Sequence, residues 1–130
     1  MDTSFKPSGY NSVSPYLVVD GAQKMIDLLK GIFQATELRR YDNADGSIMH
    51  AELRIDDSVI MIGDASASYP SNQSLLHVYV PDVHKTFQRA LTLGCEVIEQ
   101  PVNKEGDPDT RGSFKDFSGN VWAIGTQMNK

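Results

Sequence analysis

Three polar side chains that could do chemistry alternate along one short stretch of the sequence. His50, Glu52 and Arg54 are separated by single apolar residues, a period of two that places all three on one face of a β-strand. If that face lines a cavity, His50 and Glu52 could meet His77 there and offer two imidazoles and a carboxylate to a divalent metal. The alternative, which we favour from the apolar residues between them, is a half-buried strand whose polar face is solvated.

A second polar pair, His77 and Tyr79, lies within an otherwise aliphatic run. The pair shares one face of the predicted strand, and the other face carries Leu76, Val78 and Val80. A polar pair opposite an aliphatic row predicts a surface that is neither core nor bulk solvent. His77 can exchange a proton near neutral pH, although a core histidine with one hydrogen bond is the alternative. We therefore place both side chains on the wall of a ligand pocket.

Two further side chains are candidates for that pocket. Trp122 is the one tryptophan of the chain, and it either offers a flat contact area to a small ligand or fills the core. Arg111 lies in a polar segment, where it either clamps an anionic ligand or is solvated. The predicted ligand-binding residues are thus His77, Tyr79, Trp122, His50 and Arg111.

Composition argues against several classes of protein. The 130 residues are expected to form one domain, and the net charge of −5 without a cluster of Lys or Arg argues against nucleic acid or membrane as a partner. No apolar run reaches the roughly 20 residues that span a bilayer. The single cysteine, Cys95, is expected to be an inert buried thiol in a cytoplasmic protein. We find no phosphate loop, zinc motif or dinucleotide motif and therefore expect no cofactor.

Two similar series of elements must position these residues. In each half an apolar strand meets an acidic turn, an amphipathic helix follows, and further strands complete the half. The predicted elements are strands 13–19, 35–41, 47–55 and 58–63 with helix 22–33, then strands 75–80, 95–99, 113–117 and 120–126 with helix 83–93. The fold class is therefore α+β, built from two βαβββ modules.

The remaining segments are polar. Residues 1–12 are predicted to be an arm that lies across a neighbouring surface, and residues 102–112 a long loop. A linker at 64–74, rich in Ser, Asn and Ala, separates module one (about 12–64) from module two (about 75–127).

Five short motifs, taken in their order and spacing, make the chain similar to a known family. The motifs are Pro15–Asp20, Asp45–Leu53, Asp57–Met61, His77–Val80 and Asp116–Trp122. They resemble the vicinal oxygen chelate superfamily, also called the glyoxalase, bleomycin-resistance and extradiol dioxygenase superfamily, and most closely its phosphonate-operon-associated branch. The resemblance implies that the two modules curl into a partly open mixed barrel around a cavity and that the protein is a homodimer.

The same resemblance implies where a metal would bind, because members take His and Glu ligands from the first and last strand of each module. Of these four positions only His77 matches. The others offer Ser14, Pro15 or Tyr16, then Ile60, Met61 or Ile62, and finally Ala123. One imidazole cannot hold a catalytic ion, so no metal is expected.

Three functions stay open. The first is a metal-independent small-molecule-binding protein with an unknown ligand. The second is a metal-dependent lyase, isomerase or dioxygenase that uses His50, Glu52 and His77. The third is an interaction module whose cavity is filled by its own side chains. Whether the chain is an enzyme is left undecided.

Overall fold

A computed structural model describes residues 5–128, which form two compact units. Among the described residues, the first unit holds 5–30 and 34–72, and the second holds 31–33 and 73–128. In chain order the elements are β1 (Tyr16–Val19), α1 (Ala22–Phe33), β2 (Thr36–Asp42), β3 (Ile48–Ile55), β4 (Ser58–Asp64), β5 (Leu75–Tyr79), α2 (Val83–Thr92), β6 (Glu96–Val102), β7 (Asp109–Lys115) and β8 (Val121–Gln127). Neither helix, of 12 and 10 residues, has the length and apolarity that a membrane crossing requires.

Each unit contains one four-stranded mixed sheet, and the two sheets have the same topology. The strand orders are β1-β4-β3-β2 and β5-β8-β7-β6, with the first strand of each unit parallel to the last. The α+β class and the repeated βαβββ order are therefore confirmed. Both sheets are open in this order and are not closed into a barrel.

The helix predicted at 22–33 is confirmed, because an amphipathic stripe over three turns is a local signal. The apolar residues Ala22, Met25, Ile26 and Leu29, at spacings of three and four, are completely buried. In the last turn Ile32 is completely buried and Phe33 is half-buried.

The polar loop predicted at 102–112 is too long. Strand β7 begins at Asp109, where the prediction had a loop until residue 112. The strand forms because Thr110, Gly112 and Phe114 are buried on one face, whereas Arg111 and Ser113 between them point to the other. Long-range pairing with β8 runs from Asp109 opposite Gln127 onward, and a polar sequence does not reveal such pairing.

The two helices begin with different caps. Helix α2 has a local cap, Asp82, whose carboxylate accepts hydrogen bonds from two backbone N–H groups of the first turn. Helix α1 follows Gly21, which has no side chain to offer, and the Ala22 N–H donates instead to Oδ1 of Asp64 at 2.8 Å. The other oxygen of Asp64 accepts from the Ile48 N–H at 2.7 Å. One carboxylate at the end of β4 therefore joins the start of the helix to the start of β3.

Candidate ligand-binding surfaces

A chain of hydrogen bonds crosses one face of the first unit's sheet. We call it the Glu52 network, and its members are Tyr10, Tyr16, His50 and Glu52. The Tyr10 hydroxyl donates to Glu52 Oε1 at 2.5 Å, His50 Nε2 lies 2.8 Å from Glu52 Oε2, and Tyr16 Oη lies 2.8 Å from His50 Nδ1. His50 also stacks on Tyr41, with 6.3 Å between ring centroids. Both carboxylate oxygens and both ring nitrogens are thus engaged within the unit.

The protonation states in the network follow from its geometry. Burial raises the pKa of Glu52, but the hydrogen bonds from Tyr10 and His50 outweigh it and leave the pKa below the ordinary value. The carboxylate is therefore ionised and accepts a hydrogen bond at each of its two oxygens. The hydrogen bond to Glu52 raises the pKa of Tyr10, and burial raises that of Tyr16. Both phenols stay neutral donors near neutral pH.

The favoured interpretation of this strand, a solvated polar face, is wrong. Glu52 is only 4% exposed, because the arm that carries Tyr10 lies across it. The Arg54 guanidinium donates to the Gly9 carbonyl at 3.2 Å, and the Val59 N–H donates to Asn11 Oδ1 at 3.1 Å. The arm thus covers a face of its own unit.

The proposed metal ligands are divided between the units. His50 and Glu52 belong to the first unit and His77 to the second. Within residues 5–128, no group of three or more His, Cys, Asp or Glu side chains is arranged to hold a metal ion. A metal at His50 and Glu52 would have to break hydrogen bonds that already use their ligating atoms.

A second cluster lies on the second unit's sheet, and we call it the His77 face. Its members are His77, Tyr79, Asp109 and Arg111. Strand pairing brings them together, because His77 lies opposite Ala123 of β8, and Tyr79 and Arg111 lie on either side of Gly125 of β8. The imidazole and phenol rings meet edge to face, with 4.7 Å between centroids. The small residues of β8 opposite them leave room for both rings.

The Tyr79 ring is exposed and yet fixed in place. Its side chain is 61% exposed, while its hydroxyl donates at 2.7 Å to Asp109, which is 3% exposed. That hydrogen bond raises the pKa of Tyr79. Arg111 completes the frame, with Nη2 at 2.9 Å from Asp109 Oδ2 and Nη1 at 3.4 Å from His77 Nε2. An exposed ring that is held this way loses little freedom when a ligand stacks on it.

Arg111 is not free to clamp an anion. Its Nη2 contacts Asp109, and its Nε donates to Asp107 Oδ2 at 2.8 Å. The hydrogen bond to Asp107 lowers the pKa of that carboxyl group. Two carboxylates therefore meet one guanidinium. An added anion would have to compete with both of them, so the predicted anion clamp has no support in this geometry.

Trp122 lies in the core and not beside His77, which corrects its predicted place on the pocket wall. It is completely buried, and its register partner is Leu76, on the opposite face of β5 from His77. Its indole N–H donates to Asp116 Oδ2 at 2.8 Å, and its ring centroid is 5.3 Å from that of Phe33. A fully buried ring with a satisfied donor is a packing residue.

Asp116 holds the turn before β8. It is 4% exposed and accepts hydrogen bonds from four N–H donors: the backbone of Ser118, the backbone and side chain of Asn120, and the indole of Trp122. The sequence offered this residue only as part of a motif, without a role. The spacing of six residues to a buried tryptophan is the signal that could have identified it.

Sequence reasoning also missed Tyr10 and Asp109. Both act through partners distant in the sequence, since Tyr10 meets Glu52 across 42 residues and Asp109 meets Tyr79 across 30. Cys95, which was expected to be buried, is only half-buried, but this partial burial still raises the pKa of its thiol to about 11. A thiol with this pKa is a poor nucleophile.

A concavity of about 440 Å³ in the second unit lies apart from the His77 face. Its lining residues are Gly31, Lys85, Gln88, Arg89, Thr92 and Leu93. None of the predicted ligand-binding residues is among them.

Two bacterial proteins show the similarity of this chain to known sequences and structures. The chain is 33% identical over 130 residues to an uncharacterized protein of Mycobacterium tuberculosis (strain ATCC 25618 / H37Rv), covering 92% of this chain and 76% of that protein. The structure of protein PA1353 from Pseudomonas aeruginosa has a TM-score of 0.72 at 19% identity and covers 92% of this chain and 99% of that one.

A resistance protein has the same fold. The fosfomycin resistance protein FosX from Listeria monocytogenes, in a complex with Mn(II) and sulfate, has a TM-score of 0.70 at 16% identity, covering 95% of this chain and 93% of that one. Identities this low show the fold alone. The sequence profile of the Glyoxalase/Bleomycin resistance protein/Dioxygenase superfamily matches residues 10–124. The chain belongs to this superfamily.

Proposed function

We propose that the protein binds a small aromatic molecule on the His77 face and that it does so without a metal. One observation carries the proposal: the Tyr79 ring is exposed, while its hydroxyl is anchored to buried Asp109. Exposed and preorganised aromatic rings are favourable contact surfaces for flat ligands.

The charges on this face favour an uncharged ligand. Asp107 and Asp109 already neutralise Arg111, and their combined charge exceeds that of the guanidinium. An anionic ligand would be repelled, whereas a neutral ring can stack on Tyr79. A hydrogen-bond acceptor on the ligand could use His77 or the exposed edge of Arg111.

Metal independence rests on the hydrogen bonds of the Glu52 network. His50 and Glu52 direct all their ligating atoms to each other and to Tyr10 and Tyr16. FosX from Listeria monocytogenes has been crystallised with Mn(II), but this chain has Ala123 where the metal-binding members have Glu. This difference favours ligand binding over the alternative of a metal-dependent lyase, isomerase or dioxygenase.

Three finer assignments belong to the same proposal. We place the chain in the phosphonate-operon-associated branch of its superfamily, on the motifs His77–Val80 and Asp116–Trp122.

We propose a homodimer, since the edge strand β6 leaves apolar side chains such as Ile98 48% exposed and twofold pairing is the commonest assembly. A cytoplasmic location is consistent with the single, protonated Cys95 thiol.

Substitution of Tyr79 tests the ligand surface. We expect Tyr79→Ala to weaken the binding of a neutral bicyclic aromatic probe such as indole by about five- to tenfold, because a lost ring contact removes about 1–1.4 kcal/mol. Tyr79→Phe should retain most of the binding. Chemical-shift mapping on isotope-labelled protein measures both, with acetate as an anionic probe that should not bind.

Tyr69→Ala is the matched control, since Tyr69 is 72% exposed and lies outside the sheets. The proposal is rejected if indole perturbs no resonance of the His77 face, or if the Tyr69 and Tyr79 variants bind it equally well.

Elemental analysis tests metal independence. Protein purified without a polyhistidine tag is expected to contain well under one zinc, nickel, manganese or iron per chain, because a catalytic site needs about three protein ligands. The contrary result would be about one equivalent that disappears on His77→Ala and persists on His84→Ala, which removes an exposed histidine of α2.

A further inference from the structure

Tyr10 resembles a bound ligand more than a part of the sheet that it covers. It comes from residues 5–15, which form no helix or strand, and its hydroxyl reaches the buried carboxylate of Glu52 at 2.5 Å. The guanidinium carbon of Arg39 lies 5.4 Å from the centroid of its ring. One group thus recognises the hydroxyl, and another recognises the ring.

Among the described residues 5–9, few contacts attach the arm that delivers Tyr10 to the sheet. Gly9 accepts one hydrogen bond from Arg54, while Lys6 bonds to Ser12 within the arm itself. Phe5 is 65% exposed. Lifting Tyr10 from Glu52 would therefore disturb the arm and leave the strands paired.

The groups beneath Tyr10 specify what could replace it. Ionised Glu52 needs a hydrogen-bond donor, since a buried carboxylate without partners is strongly unfavourable. His50 satisfies one of its oxygens and leaves the other to Tyr10. A ligand carboxylate would be repelled, and an aliphatic alcohol would lack the ring that Arg39 contacts. A neutral phenol meets both requirements.

We propose that Glu52, His50 and Arg39 form a binding site for a phenolic compound and that Tyr10 of the same chain occupies this site when no such compound is bound. The site lies in the first unit and is independent of the His77 face in the second. A negative result for this site would therefore not contradict the function proposed above, and a negative result for that function would not contradict this site.

Calorimetry with p-cresol, which has the shape of a tyrosine side chain, tests the site. In Tyr10→Ala the tethered competitor is gone, and p-cresol should bind about tenfold or more tightly than to the unsubstituted protein. The ether 4-methylanisole, which cannot donate a hydrogen bond, should show no such gain. Adding Glu52→Leu to Tyr10→Ala should abolish the gain, whereas adding Tyr69→Ala should not.

Limited proteolysis of the unsubstituted protein tests displacement directly. Chymotrypsin can cut after exposed Phe5 at any time, but after Tyr10 only when its ring has left the site. Saturating p-cresol should raise cleavage after Tyr10 relative to Phe5 about threefold or more, because cleavage follows the open population. The ratio cancels any direct effect of p-cresol on the protease.

Three results would overturn the proposal. They are equal binding of p-cresol and 4-methylanisole to Tyr10→Ala, no p-cresol binding by a Tyr10→Ala protein that melts cooperatively, and a cleavage ratio that p-cresol leaves unchanged. The last needs no variant, so the proposal stays testable even if Tyr10→Ala fails to fold.

Discussion

Asp116→Ala is expected to lower the free energy of unfolding by about 3–5 kcal/mol. The substitution removes the acceptor of four N–H donors, and each buried donor left without a partner costs about 1–3 kcal/mol, part of which water can recover. The indole of Trp122 is completely buried and has the least access to water. Chemical denaturation followed by circular dichroism and by Trp122 fluorescence measures the loss.

Two variants separate the carboxylate from general effects of the substitution. Asp116→Asn keeps one acceptor oxygen and should lose about half as much stability. Asp57→Ala removes a turn carboxylate that accepts from the adjacent Ser58 hydroxyl, and it should change stability by less than about 0.5 kcal/mol. A loss below about 1 kcal/mol for Asp116→Ala would show that the turn does not depend on this residue.

Glu52→Ala is expected to lower the free energy of unfolding by about 2–3 kcal/mol. The substitution leaves the Tyr10 hydroxyl and His50 Nε2 without their acceptor. Glu37→Ala is the matched control, because Glu37 forms an exposed ion pair with Lys30, and such pairs contribute about 1 kcal/mol or less. Equal losses in the two variants would contradict the central place of Glu52 in its network.

The sign of the pH effect follows from the lowered pKa of Glu52. Its contribution to stability is fully present above the ordinary carboxyl value of 4.5 and is lost as the pH falls through the lower value of the folded protein. The Glu52→Gln variant should therefore show a weaker decline in stability between about pH 6 and pH 3 than the unsubstituted protein. Parallel declines would contradict this assignment.

Local signals in the sequence predicted the elements well, and long-range pairing explains what they missed. The stripe of α1 repeats over three turns, so the helix bounds could be read directly from spacing. The start of β7 could not, because Asp109 and Arg111 are polar, and only their pairing with β8 makes them part of a strand.

The sequence predicted that His77 and Tyr79 lie together on one strand face, but it did not predict which face of the neighbouring strand adjoins them. Alternation placed His77 with Tyr79 correctly, since period two is a property of a single strand. Alternation could not show which residues of β8 lie beside them. Trp122 pairs with Leu76, so it lies on the opposite face of the sheet from His77 and not on the predicted pocket wall. Likewise, nothing near Glu52 in the sequence indicates that Tyr10, 42 residues away, covers it.

The caps of the two helices are synthesised at different times relative to the helices that they cap. Asp82 precedes its helix, so a ribosome has delivered the cap of α2 before the helix itself. The cap of α1 is Asp64, 42 residues after Ala22, and it arrives only when the central strand β4 has been made. A nascent chain can therefore complete the start of α1 only after the whole first sheet has emerged, whereas the start of α2 is complete within its own first turn.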